Sequence, residues 1–111
     1  PQRPNEILTK DNIAIFERID VPSDPRAKGY AKIPQLTRMY GNPEKVIQGS
    51  SFFGPFVSTY IYSSKGFVFI GNHHTDEVYE IQLFTPMSLD EYIKTYGSDI
   101  KEGPPPEERL G

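Results

Sequence analysis

The residues best equipped for chemistry are His73-His74-Thr75-Asp76-Glu77, where imidazole and carboxylate side chains crowd into one short run. Such groups can bind zinc or copper, but neighbours on an extended chain point to opposite sides, and the chain's 2 histidines are both in this run. His73 and His74 are therefore weak metal candidates, and no metal site or other cofactor is expected. Asn, Asp and Thr in this setting suit a polar hairpin loop, which they stabilise through bonds to their own backbone.

Lys65-Gly66-Phe67-Val68-Phe69-Ile70 partly matches the base-stacking strand of RNA-recognition domains. Val68 stands where that motif needs a small residue, and Asn72 where it closes on an aromatic one. The next element here reads as a strand, where that fold places a helix. A net charge of −3 without a basic stripe also lacks the cationic surplus that phosphate neutralisation needs, so no nucleic-acid partner is expected. No Gly-x-Ser-x-Gly elbow, phosphate loop or dinucleotide fingerprint occurs, so no catalytic residue is assigned and the chain is expected not to be an enzyme. A carboxylate pair assembled only by folding is invisible at this level, which keeps a small hydrolase with an unrecognised site as the lesser alternative. The absence of cysteine excludes disulfides, thiolate zinc and a cysteine nucleophile. It leaves the compartment open.

The elements that must position these residues lie mainly between Val57 and Phe84. Val57 to Tyr62, Phe67 to Ile70 and Val78 to Phe84 are three strand-like runs with short polar connections, the pattern of an antiparallel meander. The last alternates, with Tyr79, Ile81 and Leu83 on one side and Glu80 and Gln82 on the other, which predicts a sheet with one wet face. Glu44 to Gln48 reads as a further short strand. Asn12 to Asp20 fits a strand through Ile13, Ile15 and Ile19, or a helix through Ile15, Phe16 and Ile19; its β-branched content favours the strand.

Two helices are expected. Ile33, Leu36, Thr37 and Tyr40 follow the i, i+3, i+4, i+7 stripe, Pro34 suits a first turn, and Gly41 followed by Pro43 is a stop signal. Ser88 and Glu91 have capping-box spacing at the head of a second stripe, Leu89, Tyr92, Ile93 and Tyr96, closed by Gly97. The two stripes echo each other, but a second repeat would need strands of its own. At 111 residues with 11 prolines and 9 glycines the chain is one domain with irregular ends. The expectation is a flexible arm over residues 1–11, a single α+β domain over residues 12–97 and a flexible tail over residues 98–111. Within it, an antiparallel sheet of three to five strands has the first helix covering one face and the second, near the C-terminus, packed at its edge or end. The expected core is Leu36, Tyr40, Ile61, Phe67, Phe69, Ile81, Leu83, Leu89 and Ile93. No apolar run approaches the roughly 18 to 20 residues that span a bilayer.

Phe52-Phe53-Gly54-Pro55-Phe56 is a loop by its glycine and proline, yet it carries three phenylalanines. Its rings either plug the sheet edge or offer an apolar tip to a partner. If Tyr79, Ile81 and Leu83 mark the dry face, Tyr60 and Tyr62 fall on the wet one beside this loop. Phe53, Phe56, Tyr60 and Tyr62 are then the candidate partner-binding patch, because large amphipathic rings dominate interface hot spots. A shift of one residue in register sends both tyrosines into the core instead.

The run from Ile33 to Tyr40-Gly41-Asn42-Pro43, Glu44-Lys45-Val46, Tyr60-Ile61-Tyr62, Ser64-Lys65-Gly66, Phe67-Val68-Phe69 and Leu83-Phe84-Thr85-Pro86 resembles the helix-plus-meander domains of outer-membrane-assembly lipoproteins and β-lactamase-inhibitor proteins. The resemblance covers roughly residues 30 to 86. It implies a non-enzymatic, extracytoplasmic or cell-surface module of a bacterial exported protein or lipoprotein that grips another protein through its sheet or loops, with room for a lipid anchor upstream of Pro1. The chain departs from the inhibitor proteins in having no tandem second copy and no disulfide cysteines, and no contact motif of the assembly lipoproteins aligns with it. The alternative class is a structural domain or tail of a larger assembly.

Overall fold

The computed structural model describes residues 6–22, 32–50 and 53–97, so the expected tail over residues 98–111 lies outside the described residues. The elements are β1 (Glu6–Lys10), β2 (Ile13–Asp20), α1 (Ile33–Tyr40), β3 (Lys45–Ser50), β4 (Gly54–Tyr62), β5 (Phe67–Asn72), β6 (Val78–Phe84) and α2 (Leu89–Tyr96), with a 3₁₀ turn at Ser63–Lys65. The strands form one antiparallel sheet in the order β1-β2-β6-β5-β4-β3. The meander β4-β5-β6 is its centre, and each side is extended beyond it. None of the described helices is long and apolar enough to cross a membrane.

Six strands replace the expected three to five, and Glu6–Lys10 is an edge strand where a flexible arm was expected. Asp11 and Asn12 both take positive φ, 53° and 66°, between the paired residues Lys10 and Ile13. Asp and Asn tolerate that conformation, and it gives a two-residue turn whose twist matches the strands it joins. The ambiguous segment after it is a strand, β2, which docks on β6 with Ile19 opposite Ile81 and Glu17 opposite Leu83.

The larger correction concerns the faces of the sheet. α1 covers one face, where Leu36 is fully buried among Phe67, Phe69, Tyr62 and Ile81, and Tyr40 stacks half-buried on Phe67 with centroids 4.3 Å apart. α2 is not at an edge or end. It covers the opposite face, where Tyr92 is fully buried with Ile47, Ile61 and Val68, and Leu89 packs against them partly buried. Both faces are therefore dry, and the expected wet residues Glu80 and Gln82 are each 1% exposed.

Burying an amide and a carboxylate is tolerated only when they are hydrogen-bonded. Tyr92 donates its hydroxyl to Gln82 Oε1 at 2.5 Å, Gln82 Nε2 donates to Glu80 Oε2 at 2.7 Å, and Arg18 Nε lies 3.4 Å from the same carboxylate oxygen. Arg18 also pairs with Glu6. The helix is thus tied to a chain of polar groups running across β6 to β2 and β1.

Two expected core residues are exposed: Leu83 at 41% and Ile93 at 38%. Leu83 is not part of the cluster beneath α1, and Ile93 sits on the outer side of a helix whose fully buried residue is Tyr92. A register shift between Ile70 and Gly71 puts Val78 opposite Gly71 while Ile70 stays opposite Glu80, so Val78, not Tyr79, joins Ile81 in the core beneath α1.

Ser88 and Gly41 cap the helices at the positions their spacing marks, with the Ser88 half of the expected capping box formed. Ser88 Oγ accepts the Glu91 backbone N–H at 3.2 Å, and Asp90 and Glu91 add negative charge to the first turn of α2. Lys32 N–H donates to Gln35 Oε1 at 3.1 Å at the head of α1, and Gly41, with φ of 80°, donates its N–H to Thr37 O at 2.9 Å at the end. At the β4–β5 turn, Glu44 accepts the Ser63 hydroxyl at 2.5 Å and the Ser64 N–H at 2.9 Å. Burial pushes its carboxyl up, but the Ser63 and Ser64 donors and the Lys65 charge outweigh that and hold it below the usual glutamate range.

Gly66 closes the same turn in the left-handed region, with φ of 69°, and a Cβ there would overlap the Phe84 carbonyl oxygen. Gly66→Ala is expected to cost at least about 1 to 2 kcal/mol from the backbone conformation alone, with the overlap adding to it. A thermal melt checks this; an unchanged midpoint contradicts it.

Candidate partner-binding surface

The loop after β5 is built by its own side chains. Asn72 Oδ1 accepts the backbone N–H groups of His74 and Thr75 at 2.8 and 3.1 Å, and Asp76, with φ of 64°, returns the chain by donating its N–H to Asn72 O at 2.8 Å. Asn72 N–H donates to Glu77 O at 2.8 Å, so the two strand ends are closed on each other. The loop is also welded to its neighbours. Ile33 N–H donates to Asp76 O at 2.8 Å, which fixes the start of α1, and His73 N–H donates to Phe56 O at 3.2 Å, which extends the β4–β5 pairing into the loop.

Two aromatic pairs stand at this end of the sheet. Phe56 is 60% exposed and meets the His74 ring edge-on at 5.3 Å. Phe53 is half-buried and stacks on Tyr79 at 6.0 Å, and Asn72 Nδ2 lies 3.4 Å from the Tyr79 hydroxyl. Asn72 therefore bonds to both groups, through its side-chain oxygen to the His74 backbone and through its side-chain nitrogen to Tyr79.

The two strand tyrosines point elsewhere. Tyr60 lies opposite Phe69 and Tyr62 opposite Phe67, both on the face that α1 covers. Tyr60 is half-buried and stacks on Phe69 at 4.6 Å with the rings 12° apart. Tyr62 is 1% exposed and donates its hydroxyl to Gly41 O at 2.7 Å. Burial pushes both phenols up; a bond with Ser58 partly offsets this for Tyr60 while the Asp76 charge adds to it, and Tyr60 adds to the shift of Tyr62. The expected four-residue patch thus divides. Phe53 and Phe56 border the loop, Tyr60 is at the rim of the core, and Tyr62 is inside it, because the face read as wet is dry.

His74 and Tyr79 join the phenylalanines at this end, and sequence reading did not place them there. The Asn72-to-Asp76 run signals a tight loop, but only the β4–β5 register shows that it folds back beside Phe56.

Ser58 Oγ and His73 Nδ1 are 2.8 Å apart, the separation of a nucleophile and its base. Ser58 is 1% exposed, so its hydroxyl has no room for a substrate, and the pair anchors the loop to β4. Asp20 and Glu80 are register partners on β2 and β6, but both are buried, and Glu80 is held by Gln82 and Arg18. Among the described residues no three His, Asp or Glu side chains group as metal ligands. A groove of about 290 Å³ between β2 and β6 is lined by residues 14–17 and 83–85, of which only Glu17 is ionisable.

Compared with known proteins, the chain matches no family model, no curated relative and no solved structure.

Proposed function

We propose that the chain is a non-enzymatic protein-binding or assembly module, exported or carried on a bacterial lipoprotein, whose contact surface is the Phe56–His74 end of the sheet. The observation that carries this reading is the exposure of Phe56, at 60%, on a strand whose carbonyl is held by His73 and beside a loop fixed by Asn72. A single exposed ring is ordinary, but this one has His74 against it, with the Phe53–Tyr79 stack on the other side of Asn72. Rigid aromatic groups of this kind give contact area at low entropic cost. The extracytoplasmic location rests on the resemblance carried by residues 30 to 86 and is tested by fractionating the native host.

A hydrolase would need ionisable groups converging on a concave site. The groove between β2 and β6 offers one carboxylate, and in the Ser58–His73 pair the Ser58 hydroxyl is buried.

Phe56→Ser is expected to abolish capture of the partner in a pull-down from the native host while leaving the thermal midpoint close to that of the parent, since most of the residue is exposed and it belongs to neither buried cluster. Tyr62→Ala is not an equivalent test, because it opens the core. Unchanged capture by Phe56→Ser overturns the assignment of this surface.

A further inference from the structure

The sheet has two edges among the described strands, and they differ. β3 is broken near its end by Gly49, at φ of 85°, where the register with β4 also shifts, an irregularity of the kind that discourages further pairing. β1 has no proline, glycine or positive φ within Glu6–Lys10, and all five residues are exposed, with Ile7 at 58% and Leu8 at 39%. The extra residue at the β1–β2 register shift is contributed by β2, so β1 itself stays regular.

A regular edge with exposed apolar residues is a template for another strand. The sequence of β1, Glu6-Ile7-Leu8-Thr9-Lys10, is complementary to itself when antiparallel. Centred on Leu8, it sets Glu6 opposite Lys10 of a second copy, Ile7 opposite Thr9, Leu8 opposite Leu8, and then the same pairs in reverse. Opposite charges directly across a sheet are favourable and like charges are not.

The backbone agrees with this register. In a two-residue hairpin the flanking residues Lys10 and Ile13 bond to each other, so by alternation Lys10, Leu8 and Glu6 direct their backbone groups to β2 while Thr9 and Ile7 direct theirs to the free edge. A two-fold axis at Leu8 pairs Ile7 with Thr9 of the other copy, which are the residues with backbone groups to offer. It also puts Glu6, Leu8 and Lys10 on one face, where Glu6 lies between Arg18 of its own chain and Lys10 of the other. We infer that two copies of this chain associate through β1, forming a continuous sheet of twelve strands with an isologous interface. This interface is separate from the Phe56 surface, since β2, β6 and β5 lie between β1 and β4.

Sedimentation velocity over a range of concentrations tests it. The parent chain is expected to sediment as a dimer, and Lys10→Glu and Glu6→Lys each as monomers, because each sets like charges opposite one another at both ends of the interface. An equimolar mixture of the two variants restores opposite charges and is expected to return to the dimer. Leu8→Lys, which leaves the Arg18–Glu6 pair intact, is a second monomeric variant, and circular dichroism shows whether each variant is folded. A parent chain that remains monomeric at every concentration, or folded Lys10→Glu and Leu8→Lys variants that dimerise like the parent, overturns the proposal.

Discussion

Replacing Tyr92 by alanine is expected to cost about 3 to 5 kcal/mol, the range for truncating a large buried aromatic ring. Tyr92 is fully buried, packs on Phe84 with centroids 5.1 Å apart, and is the only fully buried residue of α2 among those described. Its loss removes the central inward contact of an eight-residue helix, which is too short to persist without tertiary packing. It also strips Gln82 Oε1 of its donor. Tyr92→Phe separates the two effects: the ring stays, the buried acceptor loses a partner, and the cost falls to about 1 to 3 kcal/mol. Urea titrations of both variants check this. Equal losses would mean that the hydroxyl, not the ring, holds α2, and losses under half of the expected values would mean that α2 does not close the face.

Leu36→Ala is expected to cost about 2 to 5 kcal/mol by the same measurement. Leu36 is fully buried on the inward side of α1, between the helix and the Phe67, Phe69 and Tyr62 rings. Three aromatic side chains of fixed geometry collapse poorly into the space of a lost isobutyl group, which favours the upper part of the range. A loss below about half a kcal/mol would remove α1 from the core.

Those two helices were the most legible parts of the chain. The apolar spacing of Ile33, Leu36 and Tyr40 and of Leu89, Tyr92 and Tyr96, together with Gly41 and the Ser88 cap, marks their type and ends, because helix signals are local. The central strands were legible for the same reason. What the local pattern does not carry is which face a helix takes and what lies beneath it. Glu80 and Gln82 look like solvent-facing residues, and their burial is offset by groups distant in sequence, the Tyr92 hydroxyl bonded to Gln82 and the Arg18 charge beside Glu80. That error carried over to Tyr60 and Tyr62, whose placement depended on one face of the sheet being wet.

β1 was missed for a different reason. Residues 1–11 are polar and contain prolines, and a five-residue edge strand buries no side chain that would leave an alternating trace. The signal was Asp11-Asn12, a pair suited to positive φ at both positions. At the candidate surface, Phe53 and Phe56 were legible as an aromatic loop that needed an explanation. His74 and Tyr79 reach them only through the pairing of β4 with β5 and the loop that follows.

The most direct test of the proposed contact surface is a photo-activated cross-linker, benzoylphenylalanine, placed at position 56 and, as a control, at the exposed position 90 on α2, with irradiation in the native host. A discrete protein adduct from position 56 that is absent from position 90 is the expected result. No adduct from position 56, or the same set of adducts from both positions, would contradict the assignment of the Phe56–His74 end as the surface through which this protein binds its partner.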